Sequence, residues 1–198
     1  MNDSIKYYDK NAKAFVDGTQ GVDFSDTQNR FLKFLPAKSR ILDFGCGSGR
    51  DTKFFLQQGY AVDATDGSDE MCELASNYTG IVVKKLFFSE LSEINKYDGI
   101  WACASILHLP KEDLFAVLEK MMKATKNQGY IYVSFKYGDF EGYRNDRYFT
   151  DFTEKSFEDF IRPITNLVKI DEWITSDVRP GRSNEKWLNV ILQKSNMI

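Results

Sequence analysis

Histidine and cysteine are scarce in this chain of 198 residues, which contains one histidine and three cysteines. A single histidine excludes a metal site built from several histidine ligands. The cysteines, Cys46, Cys72 and Cys103, are odd in number and show no C-x-x-C spacing, so they indicate neither a zinc site nor a disulfide framework. We therefore expect reduced thiols, no bound metal and a cytoplasmic protein.

Long apolar runs and a strong excess of one charge are also missing. No run approaches the ~20 apolar residues that cross a bilayer, and the first residues, MNDSIKYYDKNAKAF, lack the apolar core of a secretory peptide. The net charge of -3 and the pI near 5.3 disfavour a broad nucleic-acid-binding face, which needs clustered Lys and Arg. We expect no membrane association and no nucleic acid partner, and the pattern predicts no particular oligomeric state.

What is present is an alternation of strand and helix patterns. Strands are predicted at 40–44, 60–66, 80–86, 97–105, 129–136, 166–175 and 185–194, and helices at 50–58, 68–77, 111–125 and 154–162. Strands that alternate with helices form a parallel sheet, whereas the last two strands have no helix between them and should pair antiparallel. The prediction is a doubly wound α/β fold, a Rossmann-like, seven-stranded, mostly parallel sheet with one reversed strand near its edge. One domain is expected over 1–198, with an N-terminal helical or lid segment at 1–38 and the core at 39–198.

The stretch RILDFGCGSGRD, Arg40 to Asp51, places three glycines directly after the first strand. Ligands of open α/β sheets bind at the carboxyl ends of the strands, and glycines there let a ligand approach the backbone closely. A tight strand-to-helix turn without a ligand is the alternative, although three alternating glycines exceed what such a turn needs. The spacing G-x-G-x-G puts Arg50 where a dinucleotide-binding loop has its third glycine, and no P-loop motif is present.

Asp66 ends the second predicted strand. A carboxylate at that position can accept hydrogen bonds from the two vicinal hydroxyls of a ribose. Asp66 or Ser68 could instead cap the helix that follows. Together with the glycine loop, Asp66 favours a nucleoside cofactor that does not require a pyrophosphate.

These segments together resemble the class I S-adenosylmethionine-dependent methyltransferases. ILDFGCGSGRD is similar to that family's first motif, VDATDGSDEM to its second, and YDGIWACASILHLP to the segment around its fourth strand. YYDKNAKAF resembles the N-terminal segment that often closes over the cofactor. Among small bacterial members, the chain also resembles the tellurite-resistance-type small-molecule methyltransferases. The resemblance implies S-adenosyl-L-methionine as the cofactor and S-adenosyl-L-homocysteine as its product.

The resemblance also implies a set of cofactor-binding residues: Asp43, Gly45, Cys46, Gly47, Gly49, Asp66, Gly67, Met71, Phe88, Ser89, Cys103 and Ala104. Within it the three alternating glycines would line the methionine moiety. Asp43 would lie beneath that moiety and reach its ammonium through water, and Asp66 would hold the ribose. Backbone groups near Phe88 and Ser89 would recognise the adenine, since Phe87 and Phe88 stand where the family often has an acid.

The acceptor side is predicted from the loops 137–152 and 176–187, which should lie at the same edge of the sheet. The candidate catalytic residues are His108, Arg179, Arg182 and Tyr143, with Arg144, Arg147, Tyr148 and Trp187 as further candidates for anion binding and stacking. Methyl transfer is an in-line displacement that depends on alignment, and a general base is needed only where the acceptor must lose a proton. His108 is the candidate base, and a structural bond to a loop carbonyl is its alternative role. The alternative role of the arginines is salt bridging with nearby carboxylates.

The leading interpretation is therefore an enzyme that methylates a small-molecule acceptor, with an anionic acceptor as one class. An RNA or protein methyltransferase is the first alternative, which the acidic pI disfavours. A catalytically inactive S-adenosylmethionine-binding regulatory protein is the second. A nicotinamide-dependent reductase is the third, and Arg50 at the third-glycine position disfavours it.

Overall fold

The computed structural model describes residues 3–195, and these form nine strands. They are β1 (Arg40–Phe44), β2 (Ala61–Asp66), β3 (Lys84–Lys85), β4 (Tyr97–Ala102), β5 (Thr125–Lys136), β6 (Glu141–Arg144), β7 (Arg147–Thr150), β8 (Leu167–Ser176) and β9 (Lys186–Lys194). Seven of them make one sheet in the order β3-β2-β1-β4-β5-β9-β8, while β6 and β7 form a separate hairpin.

Six α-helices connect or flank these strands in the described part of the chain. They are α1 (Asp3–Thr19), α2 (Ser25–Leu32), α3 (Arg50–Gln57), α4 (Asp69–Thr79), α5 (Lys111–Ala124) and α6 (Glu154–Ile161). The last four match the predicted helices to within two residues, because local side chains fix where some of them begin. The Ser68 hydroxyl accepts from the Met71 N–H at 3.1 Å at the start of α4, and Thr153 caps α6 in the same way. None of the helices between residues 3 and 195 combines the length and apolarity needed to cross a membrane.

The direction of the strands confirms the predicted topology. The pairs β1–β2, β1–β4, β2–β3 and β4–β5 are parallel, whereas β9 is antiparallel to both β5 and β8. The reversed strand is therefore next to the edge, and β8 runs in the same direction as the parallel strands. As a result, the carboxyl ends of β1, β2, β4, β5 and β8 meet along one edge of the sheet.

The central strands bury both of their faces, as their continuous apolar sequences predict. Leu42 and Ile100 are fully buried in the core on one face, whereas Ile41 and Trp101 are fully buried on the other. The indole of Trp101 stacks on the ring of Tyr132 with 3.8 Å between centroids. Burying each large apolar side chain stabilises the fold by about 1.5–3 kcal/mol, so these faces fix the framework that carries the loops.

The third predicted strand, 80–86, is wrong in extent, because only Lys84 and Lys85 pair with β2. Side chains of α4 take the backbone donors that would extend the ladder. The Val83 N–H donates to the Ser76 hydroxyl at 2.9 Å. Short-range side-chain acceptors of this kind compete with sheet formation, and an apolar sequence pattern does not reveal them.

The fourth predicted strand, 97–105, is also too long. β4 ends at Ala102, and Ala104 has φ +50, a left-handed conformation that turns the chain away from the sheet. The Ala104 N–H donates to the Ser134 hydroxyl at 2.8 Å, which holds this turn against β5. A short 3₁₀ turn, Ile106–His108, follows.

The segment 137–152 was predicted as a long loop and instead contains the β6–β7 hairpin. Its two-residue turn has φ +48 at Asn145 and φ +62 at Asp146. Positive φ at both central residues is typical of the tight turn that suits the twist of a hairpin. The many charged residues of this segment hide its strand pattern in the sequence.

Candidate functional site

A cavity of about 600 Å³ lies at the carboxyl ends of the strands. The loops after β1, β2 and β4, the end of β5 and the segment between β8 and β9 line it, with further side chains from α1 and β7. Both its position and its size are typical of the ligand site of an open α/β sheet. It brings together these residues singled out from the sequence: Gly45, Cys46, Gly47, Asp66, Gly67, Met71, Phe88, Ser89, Cys103, Ala104, His108, Arg147, Arg179, Arg182 and Trp187.

Other parts of the protein pack closely against the glycine loop. Gly45 has φ +82, and a Cβ there would lie 2.5 Å from the Ser105 Cβ. A side chain at Gly45 would therefore displace the turn after β4 as well as strain the backbone. A Cβ on Gly47 would lie 3.2 Å from the ring of Phe15 in α1. The loop thus lies between the sheet and the N-terminal helix.

Asp66 lies where a ligand in the cavity can reach its carboxylate. Its Oδ2 accepts from the Gly47 N–H at 2.9 Å and its Oδ1 from the Ser68 N–H at 3.0 Å. Burial raises the pKa of this carboxyl, and these backbone hydrogen bonds oppose the rise. Ser68 caps α4, so Asp66 is not the capping residue. Each carboxylate oxygen keeps an acceptor site beyond its backbone bond, which is the requirement for two ribose hydroxyls.

Asp43 does not line the cavity. It is 2% exposed and accepts from the Thr52 hydroxyl at 2.5 Å. Burial and the nearby charge of Asp51 raise the pKa of Asp43. Burial alone would also raise the pKa of Asp51, but the charge and hydrogen bonds of Arg50 and the hydrogen bond from Trp101 lower it. The negative charge of this carboxyl pair therefore resides on Asp51, which lines the cavity.

Four other candidate residues also lie outside the cavity, Tyr143, Arg144 and Tyr148 in the hairpin and Gly49 in the glycine loop. Tyr143 is 62% exposed and lies opposite Tyr148 in the hairpin, so both rings are on one face of it. Since side chains alternate along a strand, Arg147 of β7 lies on the other face and lines the cavity. Gly49 packs against α4 instead, where a Cβ would lie 2.8 Å from the Thr79 side chain.

His108 is buried between α1 and the hairpin. Its Nδ1 lies 2.6 Å from the Tyr148 carbonyl oxygen, and its Nε2 lies 2.9 Å from the Tyr8 hydroxyl. A carbonyl can only accept, so Nδ1 carries the proton and the Tyr8 hydroxyl donates to Nε2. Burial lowers the pKa of His108 to about 4 and raises that of Tyr8. Both groups are therefore neutral near pH 7.

Arg179 and Arg182 line the cavity and are both paired with carboxylates. Arg179 forms a forked pair with Asp177, with nitrogen–oxygen distances of 2.9 and 2.6 Å. Arg182 forms a similar pair with Glu185, at 2.5 and 2.7 Å. The hydrogen bonds from Arg179 lower the pKa of Asp177 against the effect of its burial. Of the two roles left open by the sequence, salt bridging is the one that the structure contains.

Several cavity residues could not be identified from the sequence. The missed residues of α1 are Ser4, Ile5, Tyr8, Phe15 and Thr19. The resemblance implied a closing N-terminal segment, but no local pattern shows which of its side chains face inward. Arg50 and Asp51 also line the cavity, and their position directly after the glycines is the signal that could have indicated them.

Comparison with known proteins agrees with this arrangement. The methyltransferase domain family model matches residues 41–129. The Bacillus subtilis (strain 168) protein YqeM, whose name marks it as a candidate methyltransferase, is 29% identical over 104 residues, which are 49% of this chain and 42% of that protein. The chain therefore spans less than half the length of that relative. The N-terminal Xaa-Pro-Lys N-methyltransferase 1 of Xenopus tropicalis is 31% identical over 150 residues, 65% of this chain and 66% of that enzyme.

Among solved structures, one that is similar to this chain is the 1,6-didemethyltoxoflavin-N1-methyltransferase of Burkholderia thailandensis, with bound 1,6-didemethyltoxoflavin and S-adenosylhomocysteine. The match has a TM-score of 0.76 at 21% identity and covers 98% of this chain and 86% of that one. The seven-stranded sheet, whose reversed strand β9 lies next to its edge, thus defines a Rossmann-like methyltransferase fold. Residues 41–129 thus belong to the methyltransferase domain family, on the fold that the class I S-adenosylmethionine-dependent methyltransferases share.

Proposed function

We propose that this protein transfers the methyl group of S-adenosylmethionine to a small-molecule acceptor. The observation that carries the proposal is the contact between α1 and the β6–β7 hairpin beside the cavity. The Tyr148 N–H of β7 donates to the Ser4 hydroxyl of α1 at 3.2 Å, and Tyr8 of α1 is bonded to His108. Helix and hairpin therefore meet beside the cavity. An acceptor that shares about 600 Å³ with the cofactor must itself be small.

The residues of the cavity fit the cofactor. Asp66 offers acceptor sites to the ribose hydroxyls, and the backbone of Gly45 and Gly47 lines the cavity where the methionine moiety would lie. Phe88, which packs edge to face on Phe44 at 4.8 Å, supplies an apolar wall for the adenine. When bound, S-adenosylmethionine supplies a sulfonium methyl carbon, which a lone pair of the acceptor attacks as the carbon–sulfur bond breaks and its electrons return to sulfur.

The role of His108 in this proposal is to position Tyr8 rather than to remove a proton. Both ring nitrogens are already engaged, and a pKa lowered to about 4 by burial makes the imidazole a weak base at neutral pH. An acceptor that is already a nucleophile, or that loses its proton to water, fits this site. What the chain supplies is alignment of the acceptor within the cavity.

Methylation of a protein N-terminus is the second candidate, because the Xenopus relative named above acts on N-terminal Xaa-Pro-Lys. The charge of the cavity argues against it. Six basic side chains (Arg50, Lys120, Lys136, Arg147, Arg179 and Arg182) and four acidic ones (Asp51, Asp66, Asp113 and Asp177) are among the described lining residues. The lining is thus basic although the chain as a whole carries a net charge of -3. A cationic N-terminal peptide is disfavoured in such a cavity, whereas a neutral or anionic acceptor is suited to it.

Methyl transfer to three acceptor pools tests the proposal. The protein is incubated with S-adenosylmethionine labelled in the methyl group and with a small-metabolite extract, a synthetic Ala-Pro-Lys peptide or bulk tRNA. We expect label in the metabolite fraction, and no label there with the Asp66→Asn variant. Label confined to the peptide or to tRNA would replace this proposal with a macromolecular acceptor.

A further inference from the structure

Four arginines line the cavity, and one of them differs from the others in its partners. Arg50, Arg179 and Arg182 each form a forked pair with a carboxylate: with Asp51, Asp177 and Glu185, respectively. Arg147 lies within salt-bridge distance of no carboxylate among the side chains that the structure describes. It is therefore the lining arginine whose charge is not already matched.

The surroundings of Arg147 are aromatic. Its guanidinium carbon lies 4.4 Å from the centroid of the Tyr7 ring, 5.2 Å from Phe149 and 5.9 Å from Tyr8. Among the described residues, its guanidinium makes one hydrogen bond, a long one from Nη1 to the Tyr8 hydroxyl oxygen at 3.4 Å. The rings attract the cation, but they do not replace the directed acceptors of a guanidinium, which has five N–H donors.

One donor of Arg147 is also buried without an acceptor. Its Nε has no hydrogen-bond partner in the described part of the chain. A buried donor without an acceptor destabilises the unliganded protein. A planar oxyanion that accepts from Nε and Nη2 would remove this destabilisation and would neutralise the charge in one geometry.

The backbone around Arg147 is held in place before any ligand binds. The Tyr148 carbonyl accepts from His108 at 2.6 Å, and the Thr150 hydroxyl donates to the Leu109 carbonyl at 2.7 Å. Arg147 therefore begins a strand that is fixed to the turn after β4. A binding group on such a rigid element loses little conformational entropy when its ligand arrives.

We propose that Arg147 binds an anionic group of the methyl acceptor, with a carboxylate held by its guanidinium between aromatic rings. This inference rests on the proposed function and names the class of its acceptor, an aromatic or other planar carboxylate. The Tyr8 hydroxyl donates to His108 and so does not compete for the anion. Arg179 and Arg182, which the sequence suggested for this role, keep their carboxylate partners.

Paired probes test the proposal directly. Calorimetry at saturating S-adenosylhomocysteine compares benzoate with benzamide, which share a shape but differ in charge. We expect the wild type to prefer benzoate at least about tenfold, as a charge-assisted pair predicts, and Arg147→Met to lose that preference. Arg144→Met is the matched control: Arg144 lies in the same hairpin but outside the cavity and pairs with Asp151. It should keep the preference, with thermal unfolding confirming that both variants fold.

The carboxylate of the cofactor itself is the other possible partner of Arg147, and a second pair of ligands separates the two. S-adenosylhomocysteine carries that carboxylate and 5′-methylthioadenosine lacks it. We expect Arg147→Met to bind both as the wild type does. A loss of affinity for S-adenosylhomocysteine alone would assign Arg147 to the cofactor and overturn the proposal, as would equal binding of benzoate and benzamide by the wild type. Failure of the wild type to bind S-adenosylhomocysteine would instead defeat the proposed function.

Discussion

Replacement of Asp66 by asparagine should weaken cofactor binding more than any other change of similar size. The carboxylate accepts from the Gly47 and Ser68 N–H groups at 2.9 and 3.0 Å and is proposed to accept from two ribose hydroxyls as well. In the amide, one oxygen becomes a donor that faces a backbone N–H. The bonds to the remaining oxygen lose their charge assistance. Charge-assisted bonds contribute about 1.5–3 kcal/mol each and neutral ones about 0.5–1.5.

The expected loss is therefore about 3 kcal/mol, or roughly a hundredfold in the dissociation constant of S-adenosylhomocysteine. Calorimetry measures it. The matched control is Asp63→Asn, on the same strand but outside the cavity, where Asp63 pairs with Lys96 at 3.1 Å. That substitution should lower stability by less than about 1 kcal/mol and leave cofactor affinity unchanged. Equal affinities of Asp66→Asn and wild type would refute the assignment of Asp66 to the ribose.

Three further predictions concern pH and backbone geometry. If a cofactor ammonium reaches Asp43 through water, as the resemblance implies, it favours the ionised carboxylate, whose pKa burial raises. S-adenosylhomocysteine binding should then release a proton and strengthen as pH rises. Asp43→Asn should abolish both effects in calorimetry with buffers of different ionisation enthalpy, and no proton release by the wild type would contradict this role of Asp43. Burial lowers the pKa of His108 from about 6.5 in the unfolded chain to about 4, so neutral His108 stabilises the fold above pH 6.5, and about 3 kcal/mol of that stability is lost as pH falls to about 4. Urea unfolding of His108→Gln should lack this loss, and identical dependences of stability on pH in the variant and the wild type would refute it. Gly45→Ala should destabilise the fold by about 1–3 kcal/mol more than Gly59→Ala in thermal unfolding. The two glycines have similar φ, +82 at Gly45 and +83 at Gly59, but only a Cβ on Gly45 would meet Ser105. Equal shifts in the unfolding temperature would count against this packing.

The framework could be predicted because its signals are local. Continuous apolar segments predict buried parallel strands, and two terminal strands without an intervening helix predict the reversed pair. The third strand was overestimated since Ser76 of α4 takes the Val83 N–H. The β6–β7 hairpin was missed because Asn145 and Asp146 make its turn within a highly charged segment.

The candidate site could likewise be predicted only where its signals are local. Gly45 and Asp66 could be placed at the cavity because each lies at the end of a predicted strand, Gly45 directly after β1 and Asp66 as the last residue of β2. Tyr8 could not, since its partner His108 is a hundred positions away and only tertiary packing brings them together. The pairing of Arg179 with Asp177 depends on the turn between them, where the Arg179 N–H also donates to Asp177 Oδ1 at 3.1 Å. The resemblance to tellurite-resistance-type enzymes stays a prediction.

Binding of the sulfur nucleosides tests the central claim most directly. Calorimetry of the wild-type protein with S-adenosylmethionine, S-adenosylhomocysteine and NADH should show binding of the first two and none of the third, since the loop places Arg50 where a pyrophosphate-binding loop has glycine. Binding of NADH, or no binding of either sulfur nucleoside, would contradict the account of this cavity as a methyltransferase site.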